Sequence, residues 1–240
     1  MLEILFLDDD IVVVNKPTGL LVHRTALASD ETDAVVQRLR DQLGMWVFPV
    51  HRLDRGTSGV LIFALNPTSA RYLCDQFESG HVNKRYISLV RGHTLAQGVI
   101  DHPLATLNEQ KGQSRFKIAG TEKAAETHFV TLAHYNLPYP VSRYQETRCS
   151  LVEVQPIQGR KHQIRRHFKH IRHPLIGDTR YGCRHHNKLF RELEFPQRLY
   201  LHASEITFQW PSNQQTMSIK ADLDIPLTQF LASLAAYKID

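Results

Sequence analysis

Apolar residues fall along the chain in short runs of two kinds, and their spacing predicts most of the elements. Leu2 to Leu7 and Ile11 to Asn15 are compact apolar stretches separated by Asp8-Asp9-Asp10, the pattern of two strands joined by a polar turn. Lys16-Pro17-Thr18-Gly19 carries turn chemistry. From Asp33 to Leu43, Val35, Val36, Leu39 and Leu43 share one helical face, and Gly44 stops the helix. Val60 to Leu65 is a short run, partly β-branched and aromatic, that reads as a buried strand. Asn66-Pro67 then supplies a cap and a first-turn proline for a helix with Tyr72, Leu73 and Phe77 at helical spacing, ending at Gly80.

Farther along, Lys84 to Val90 alternates as a strand, and so do Glu126 to Tyr135 and Tyr144 to Val154, a pair that would extend an antiparallel sheet. Leu199 to Ala203 begins a late strand. Between Gly159 and Gly182 a helix is predicted whose apolar face is Ile164, Phe168 and Ile171, crowded by Arg160, Lys161, Arg165, Arg166, Lys169 and Arg172. Asp224 to Tyr237 has an aspartate cap, Pro226 in the first turn and an apolar face of Leu227, Phe230, Leu231 and Leu234, the signature of a packing helix. Thr106 to Ala125 is polar without strong periodicity and reads as a long surface excursion.

Composition narrows the class. With 240 residues, 42% hydrophobic and 22% charged, and no repeat, low-complexity tract or linker, one globular domain spanning 1–240 is expected. No stretch approaches the ~20 apolar residues of a membrane span, and MLEILFLDDD lacks a basic region ahead of its apolar run, so a cytoplasmic protein is expected. The three cysteines, Cys74, Cys149 and Cys183, are odd in number and widely spaced, which argues for free thiols. Lysine and arginine outnumber acids 29 to 24, for a formal charge of +5, and that sign favours an anionic partner.

The chemistry concentrates in Val50 to Asn66, VHRLDRGTSGVLIFALN. Arg52 and Arg55 flank one carboxylate, Asp54, and the Gly56-Thr57-Ser58-Gly59 turn leads into the buried run, so the carboxylate sits on a loop held by a rigid element. Most Arg-Asp neighbours are solvated pairs of little energetic weight. A serine hydrolase would need G-x-S-x-G, and the sequence is one residue short of that elbow. Six cations on one short helix with almost no acids repel one another unless an anion lies nearby, and phosphate is the obvious one. The histidines His162, His167, His170, His173, His185 and His186 invite a metal reading. The interleaved arginines oppose a dication and there is no H-E-x-x-H, so no metal is expected.

Four segments together carry a resemblance. N-K-P-T-G-L-L-V-H at residues 15–23, H-R-L-D-R-G-T-S-G at 51–59, K-R-Y at 84–86, and G-R-K-H-Q-I-R-R-H followed by H-P-L-I-G-D-T-R-Y-G at 159–182 resemble the motifs of the RluA-type pseudouridine synthases, and Leu199 to Ala203 looks like the strand that closes their pocket. The resemblance implies an α+β fold, a mixed and mainly antiparallel sheet core flanked by helices. It also implies a catalytic domain without the small extra RNA-binding domain that several relatives carry ahead of it. The implied activity is isomerisation of a uridine in RNA without cofactor. Asp54 would be the catalytic carboxylate, Arg165 the cation that keeps it ionised, and Tyr86 the ring lying against the uracil. Ile164 would form the opposite wall and Arg52 would fill the gap left by an extruded uridine. Arg160, Lys161 and Arg166 would meet the RNA. The short chain, Lys161 and the Arg165-Arg166 pair look most like the tRNA-acting branch, which implies uridine 65 of the T-stem, a monomer and no obligatory protein partner. Ribosomal RNA is the alternative substrate, and a non-catalytic basic RNA-binding module is the alternative from another class.

Overall fold

A computed structural model describes residues 1–23, 33–107 and 120–239. In chain order the elements are β1 (Glu3–Leu7), β2 (Ile11–Lys16), α1 (Val35–Leu43), β3 (Phe48–Pro49), β4 (Ser58–Ala64), α2 (Pro67–Glu78), β5 (Asn83–Arg91) and β6 (Gln97–Asp101). They continue with β7 (Glu126–Leu137), β8 (Thr147–Pro156), α3 (Gln163–His170), α4 (Arg184–Glu192), β9 (Leu201–Gln209), β10 (Thr216–Lys220), α5 (Ile225–Ser233) and β11 (Lys238–Ile239). The fold is α+β, with the strands paired mainly antiparallel. Of the polar excursion from Thr106 to Ala125, residues 108–119 lie outside the described residues.

The chain forms two compact units. The first comprises Met1–Lys84, Leu104–Lys123 and Ala203–Asp222. Its strands lie in the order β1-β2-β4-β9-β10, with β3 against the end of β4. β2 and β4 are buried almost throughout because their sequences are apolar on both faces of the strand. Ile11, Val13, Val60, Ile62 and Ala64 pack with Leu73 of α2 and with Ile206 and Phe208 of β9, while Val12, Val14, Leu61 and Phe63 alternate onto the other buried face. The hairpin turn predicted at Asp8-Asp9-Asp10 closes on Asp8 Oδ1, which accepts the N–H groups of Asp10 at 2.9 Å and Ile11 at 2.7 Å. α2 starts where Asn66-Pro67 predicted: Asn66 Oδ1 accepts from Ser69 N–H at 2.8 Å, a cap of about 1 kcal/mol, and Pro67 occupies the first turn.

The second unit comprises Arg85–Pro103, Ala124–His202 and Leu223–Asp240, with strands in the order β5-β8-β7-β11 and β6 on β7. Two aromatic-rich cores fill it. One joins Phe129, Val152 and Val154 of the sheet to Ile164 and Phe168 of α3; the other joins Leu89, Tyr135 and Cys149 to Phe190 of α4, Tyr200 and Phe230 of α5. Asp224 caps α5 by accepting Leu227 N–H at 3.0 Å.

The structure departs from the pattern-based expectations at three places. The strand expected from Tyr144 starts at Thr147, because Val141 and Tyr144 exchange backbone hydrogen bonds of 2.9 and 3.0 Å around Ser142 and make the hairpin tip. α5 ends at Ser233, and Leu234–Tyr237 tightens into a 3-10 turn. The predicted basic helix shortens to the eight residues of α3, since His162 takes the left-handed φ of 53° and cannot continue a helix backwards.

One glycine of the central loop has no room for a side chain. Gly59 enters β4 at φ 111°, and a Cβ built there falls 2.1 Å from the Ala203 carbonyl oxygen in β9. Gly59→Ala is therefore expected to destabilise the protein by about 3 kcal/mol or more, read as a fall in the urea midpoint. A variant with the parental midpoint would show that β4 and β9 separate freely there.

Candidate active site

In the first unit the loop between β3 and β4 presents Asp54. The side chain is half-buried, with Arg52 and Arg55 exposed on either side and Leu53 buried beneath. The loop is held from behind by Lys16. This residue, read from the sequence only as the start of a turn, is the last residue of β2 and is wholly buried. Its Nζ donates to the carbonyls of Leu20 at 2.7 Å, Pro17 at 2.8 Å and Arg55 at 3.1 Å, so one ammonium ties the turn after β2 to the residue following Asp54. More bonds follow the same seam. Gly19 N–H donates to Arg55 O at 2.9 Å, Arg55 Nε donates to Gly19 O at 2.9 Å, and Thr18 Oγ1 donates to Gly56 O at 2.8 Å. Gly19 accommodates this approach with φ 83°. Thr57 N–H closes the turn on Asp54 O at 3.0 Å.

His51 anchors the other end of the loop. Its Nε2 accepts the N–H of Ile62 at 3.0 Å and its ring stacks on Phe77 with centroids 4.6 Å apart. An acceptor nitrogen carries no proton, and burial, with the charge of Lys84, pushes its pKa down to about 3, so His51 is a neutral structural ring. His23, at the end of the first motif, is also drawn below its usual value, by burial and then by the charge of Arg52.

In the second unit α3 and the segment after it form a polar constellation. Arg160 and Lys161, expected on the helix, precede it in an exposed turn, and Arg172 follows it at φ 66°. Gln163 fixes the start of α3: its Oε1 accepts Arg160 N–H at 3.0 Å, while Nε2 donates to Glu126 O at 2.8 Å and Thr127 Oγ1 at 3.1 Å. His167, fully buried, lies 2.9 Å from Thr127 Oγ1 and 3.0 Å from His102 O. Arg166 is buried, and its Nη1 turns back to Lys161 O at 3.4 Å; burial lowers its pKa.

Arg165 has its guanidinium set in a fork. Nε donates to Asp178 Oδ2 at 2.7 Å and Nη2 to Asp178 Oδ1 at 2.9 Å, while the group lies 5.1 Å from the centre of the Tyr181 ring. Asp178 also accepts the N–H groups of Arg180 and Tyr181 at 2.8 and 2.9 Å. Burial pushes its carboxyl upward, but the Arg165 hydrogen bonds and charge outweigh that, and the group is held below its usual value. Tyr181 OH lies 3.0 Å from His162 Nδ1. Tyr86 of β5, opposite Val154 in β8, is half-buried against the cluster that contains Ile164.

The structure thus brings Tyr86, Ile164 and Arg165 into one unit and sets Asp54 and Arg52 in the other. Sequence reading missed Lys16 and Asp178 as organising residues. Both had a signal: Lys16 is a charge at the end of an otherwise apolar strand, and Asp178 is the lone acid between Gly159 and Gly182. Among the described residues no group of three or more His, Cys, Asp or Glu is arranged to hold a metal ion.

Residues 10–170 match the family model described as RNA pseudouridylate synthase. The tRNA pseudouridine synthase C of Pasteurella multocida is 47% identical over 226 residues, covering 93% of this chain and 92% of that protein. That of Vibrio cholerae is 47% identical over 227 residues, covering 93% and 92%. Among solved structures, human RNA pseudouridylate synthase domain containing 1 superposes with a TM-score of 0.70 at 25% identity, covering 100% of this chain and 97% of that one.

Two substitutions test how the site is held. Lys16→Met removes the donor shared by the Pro17, Leu20 and Arg55 carbonyls and is expected to lower stability by about 3 kcal/mol or more, read by urea unfolding. Asp178→Asn removes the carboxylate that pairs with a mostly buried guanidinium and is expected to cost about 3 kcal/mol at neutral pH. Because the folded carboxyl titrates below its unfolded value of about 3.9, this contribution is present above that pH and disappears as pH falls through the folded value. The stability gap between parent and variant should therefore close in acid; a gap independent of pH would contradict the ion pair.

Proposed function

Because the chain belongs to the RNA pseudouridylate synthase family, we propose that it converts a uridine of tRNA, uridine 65 in the T-stem, to pseudouridine. The observation that carries the tRNA assignment is the identity of 47% over 93% of the chain with proteins named tRNA pseudouridine synthase C. The reaction breaks the N-glycosidic bond, turns the uracil and forms a carbon-carbon bond to C1′, consuming neither water nor a redox equivalent. A glycosidase needs two carboxylates, one to protonate a leaving group and one to direct water; a base that is kept needs one. In this reading that one is Asp54.

The other roles are those that the family resemblance assigns. A carboxylate enclosed by a bound nucleoside drifts toward neutrality through desolvation, so it needs positive charge to stay ionised, and the resemblance assigns that role to Arg165. The Asp178 fork holds that guanidinium in one orientation. Tyr86 stacks on the uracil and exchanges the proton at C5, and Ile164 gives the apolar wall. A uridine within a stem must be extruded at a cost of a few kcal/mol, and the exposed Arg52 takes its place. Arg160 and Lys161, exposed ahead of α3, meet phosphates, with Arg166 bracing their turn through Lys161 O.

In this reading the purified chain acts as a monomer, without a protein partner, in the cytoplasm. The test is carbodiimide mapping of an unmodified tRNA transcript and of ribosomal RNA after incubation with the purified protein. A new stop at position 65 of the tRNA is expected. Modification confined to ribosomal RNA would overturn the tRNA assignment, and no pseudouridine in either would overturn the activity.

A further inference from the structure

The turn joining β7 to β8 carries a cluster that none of the catalytic roles uses. Val141 and Tyr144 exchange backbone hydrogen bonds, with Ser142 at φ 55° between them, and Thr147 Oγ1 ties the base of the turn to Tyr139 O at 2.7 Å. Pro138 and Pro140 stiffen the approach. A rigid tip results, and it displays side chains with no role in the core. Tyr144 is 55% exposed, an unusual position for a large ring.

One guanidinium lies against that ring and two more stand at the base of the turn. Arg143 lies with its Cζ 5.3 Å from the ring centre and donates from Nη2 to Tyr144 OH at 3.2 Å. Arg148 stands at the start of β8, where Arg148 O accepts from Gly92 N–H at 2.7 Å, one residue along from the Arg91–Cys149 pair of β5 and β8. Arg91 is steadied by Nη2 donating to Arg172 O at 2.9 Å. The hydrogen bond and charge of Arg143, with smaller contributions from the charges of Arg91 and Arg148, draw the Tyr144 phenol below its usual value. The carboxylate facing the cluster is Glu146, 2.7 Å from Arg148. Three cations against one acid, at the tip and base of a stiff hairpin that carries an open aromatic face, match a phosphate backbone with a base or sugar to cover the ring.

We infer that the β7–β8 tip, through Arg143, Arg148, Arg91 and Tyr144, is a second RNA contact that grips the substrate outside the site of isomerisation. The inference rests on the reading that the substrate is a structured RNA. Tyr86 and Arg91 lie five residues apart on β5, about 16 Å along the strand. With one phosphate about every 3 Å of axis along each strand of an A-form stem, that separation spans several phosphates. A stem that delivers its uridine to Tyr86 therefore has further phosphates at the right distance for Arg91, at the base of the hairpin.

The experiment is fluorescence anisotropy of a labelled tRNA transcript against the full chain over a series of salt concentrations. The proteins compared are the parent, Arg143→Gln with Arg148→Gln, Tyr144→Ala, Tyr144→Phe, and Arg71→Gln as a charge removed from exposed α2. The double variant should bind roughly tenfold more weakly at 0.1 M salt, with a log-log salt slope shallower by about 1.4 to 1.8, the loss of two phosphate contacts. Tyr144→Ala should weaken binding several-fold, and Tyr144→Phe should retain parental affinity. Parental affinity and slope in the double variant would overturn the inference. So would equal weakening by Arg71→Gln, since only bulk charge would then be at work. Circular dichroism and melting curves matching the parent establish that the exposed substitutions leave the fold intact, and Tyr144→Ala supplies a separate arm should the double variant melt early. Pseudouridine formation by the parent is scored separately: RNA that binds through the tip without being modified would contradict the proposed activity while leaving the contact standing.

Discussion

A buried ammonium, that of Lys16, sets the terms for the loop that carries Asp54. Removing a cation from water costs several kcal/mol, and the chain offsets this by aiming carbonyls at it. The carbonyls it finds belong to Pro17, Leu20 and Arg55, from two segments far apart in sequence. Each charge-assisted hydrogen bond contributes about 1.5–3 kcal/mol, so together they are the right size to offset the burial. Satisfying the ammonium and positioning the loop are thus the same event. The neutral His51, bonded to Ile62 N–H of β4, holds the opposite end, and Gly59 lets β4 approach the Ala203 backbone in β9. Asp54 is left half-buried on a loop whose two ends cannot drift.

The second unit solves a related problem with the opposite sign. Asp178 is a buried carboxylate whose acceptors are used by Arg165 and by the N–H groups of Arg180 and Tyr181. Gln163 and His167 do the corresponding work on the helix itself, tying α3 to β7 through Glu126 O and Thr127 Oγ1. The Q and the second H of G-R-K-H-Q-I-R-R-H are therefore packing residues, and Arg165 is the cation that they present. This division explains how so basic a segment folds: Arg165 and Arg166 are hydrogen-bonded within the protein, while Arg160, Lys161, Lys169 and Arg172 face solvent.

Elements whose side chains speak for themselves were legible in the sequence. Asn66-Pro67 and Asp224 announced α2 and α5 because a cap is a local bond, and the apolar runs of β2 and β4 announced buried strands. Asp54 and its flanking arginines stood out for the same reason. What escaped depends on contacts distant in sequence. α4, RHHNKLFRE, buries only His186 and Phe190 and offers almost no apolar period. The short β6 and β10 each have one buried residue and are strands because β7 and β9 pair with them. Tyr144 fits an alternating pattern, yet the turn at Ser142 removes it from the strand. Lys16 looked like turn chemistry because nothing local reveals that Arg55 O will lie over it.

The central claim is that Asp54 performs the chemistry for which this loop is held. Asp54→Asn keeps the size of the side chain and removes its charge, and the most direct measurement is tritium release from RNA carrying 5-tritiated uridine, made beside a gel shift and a circular dichroism spectrum. The account predicts no release, with RNA binding and the spectrum both like the parent's. Persistent release from a folded Asp54→Asn protein would contradict it and assign the chemistry to another residue.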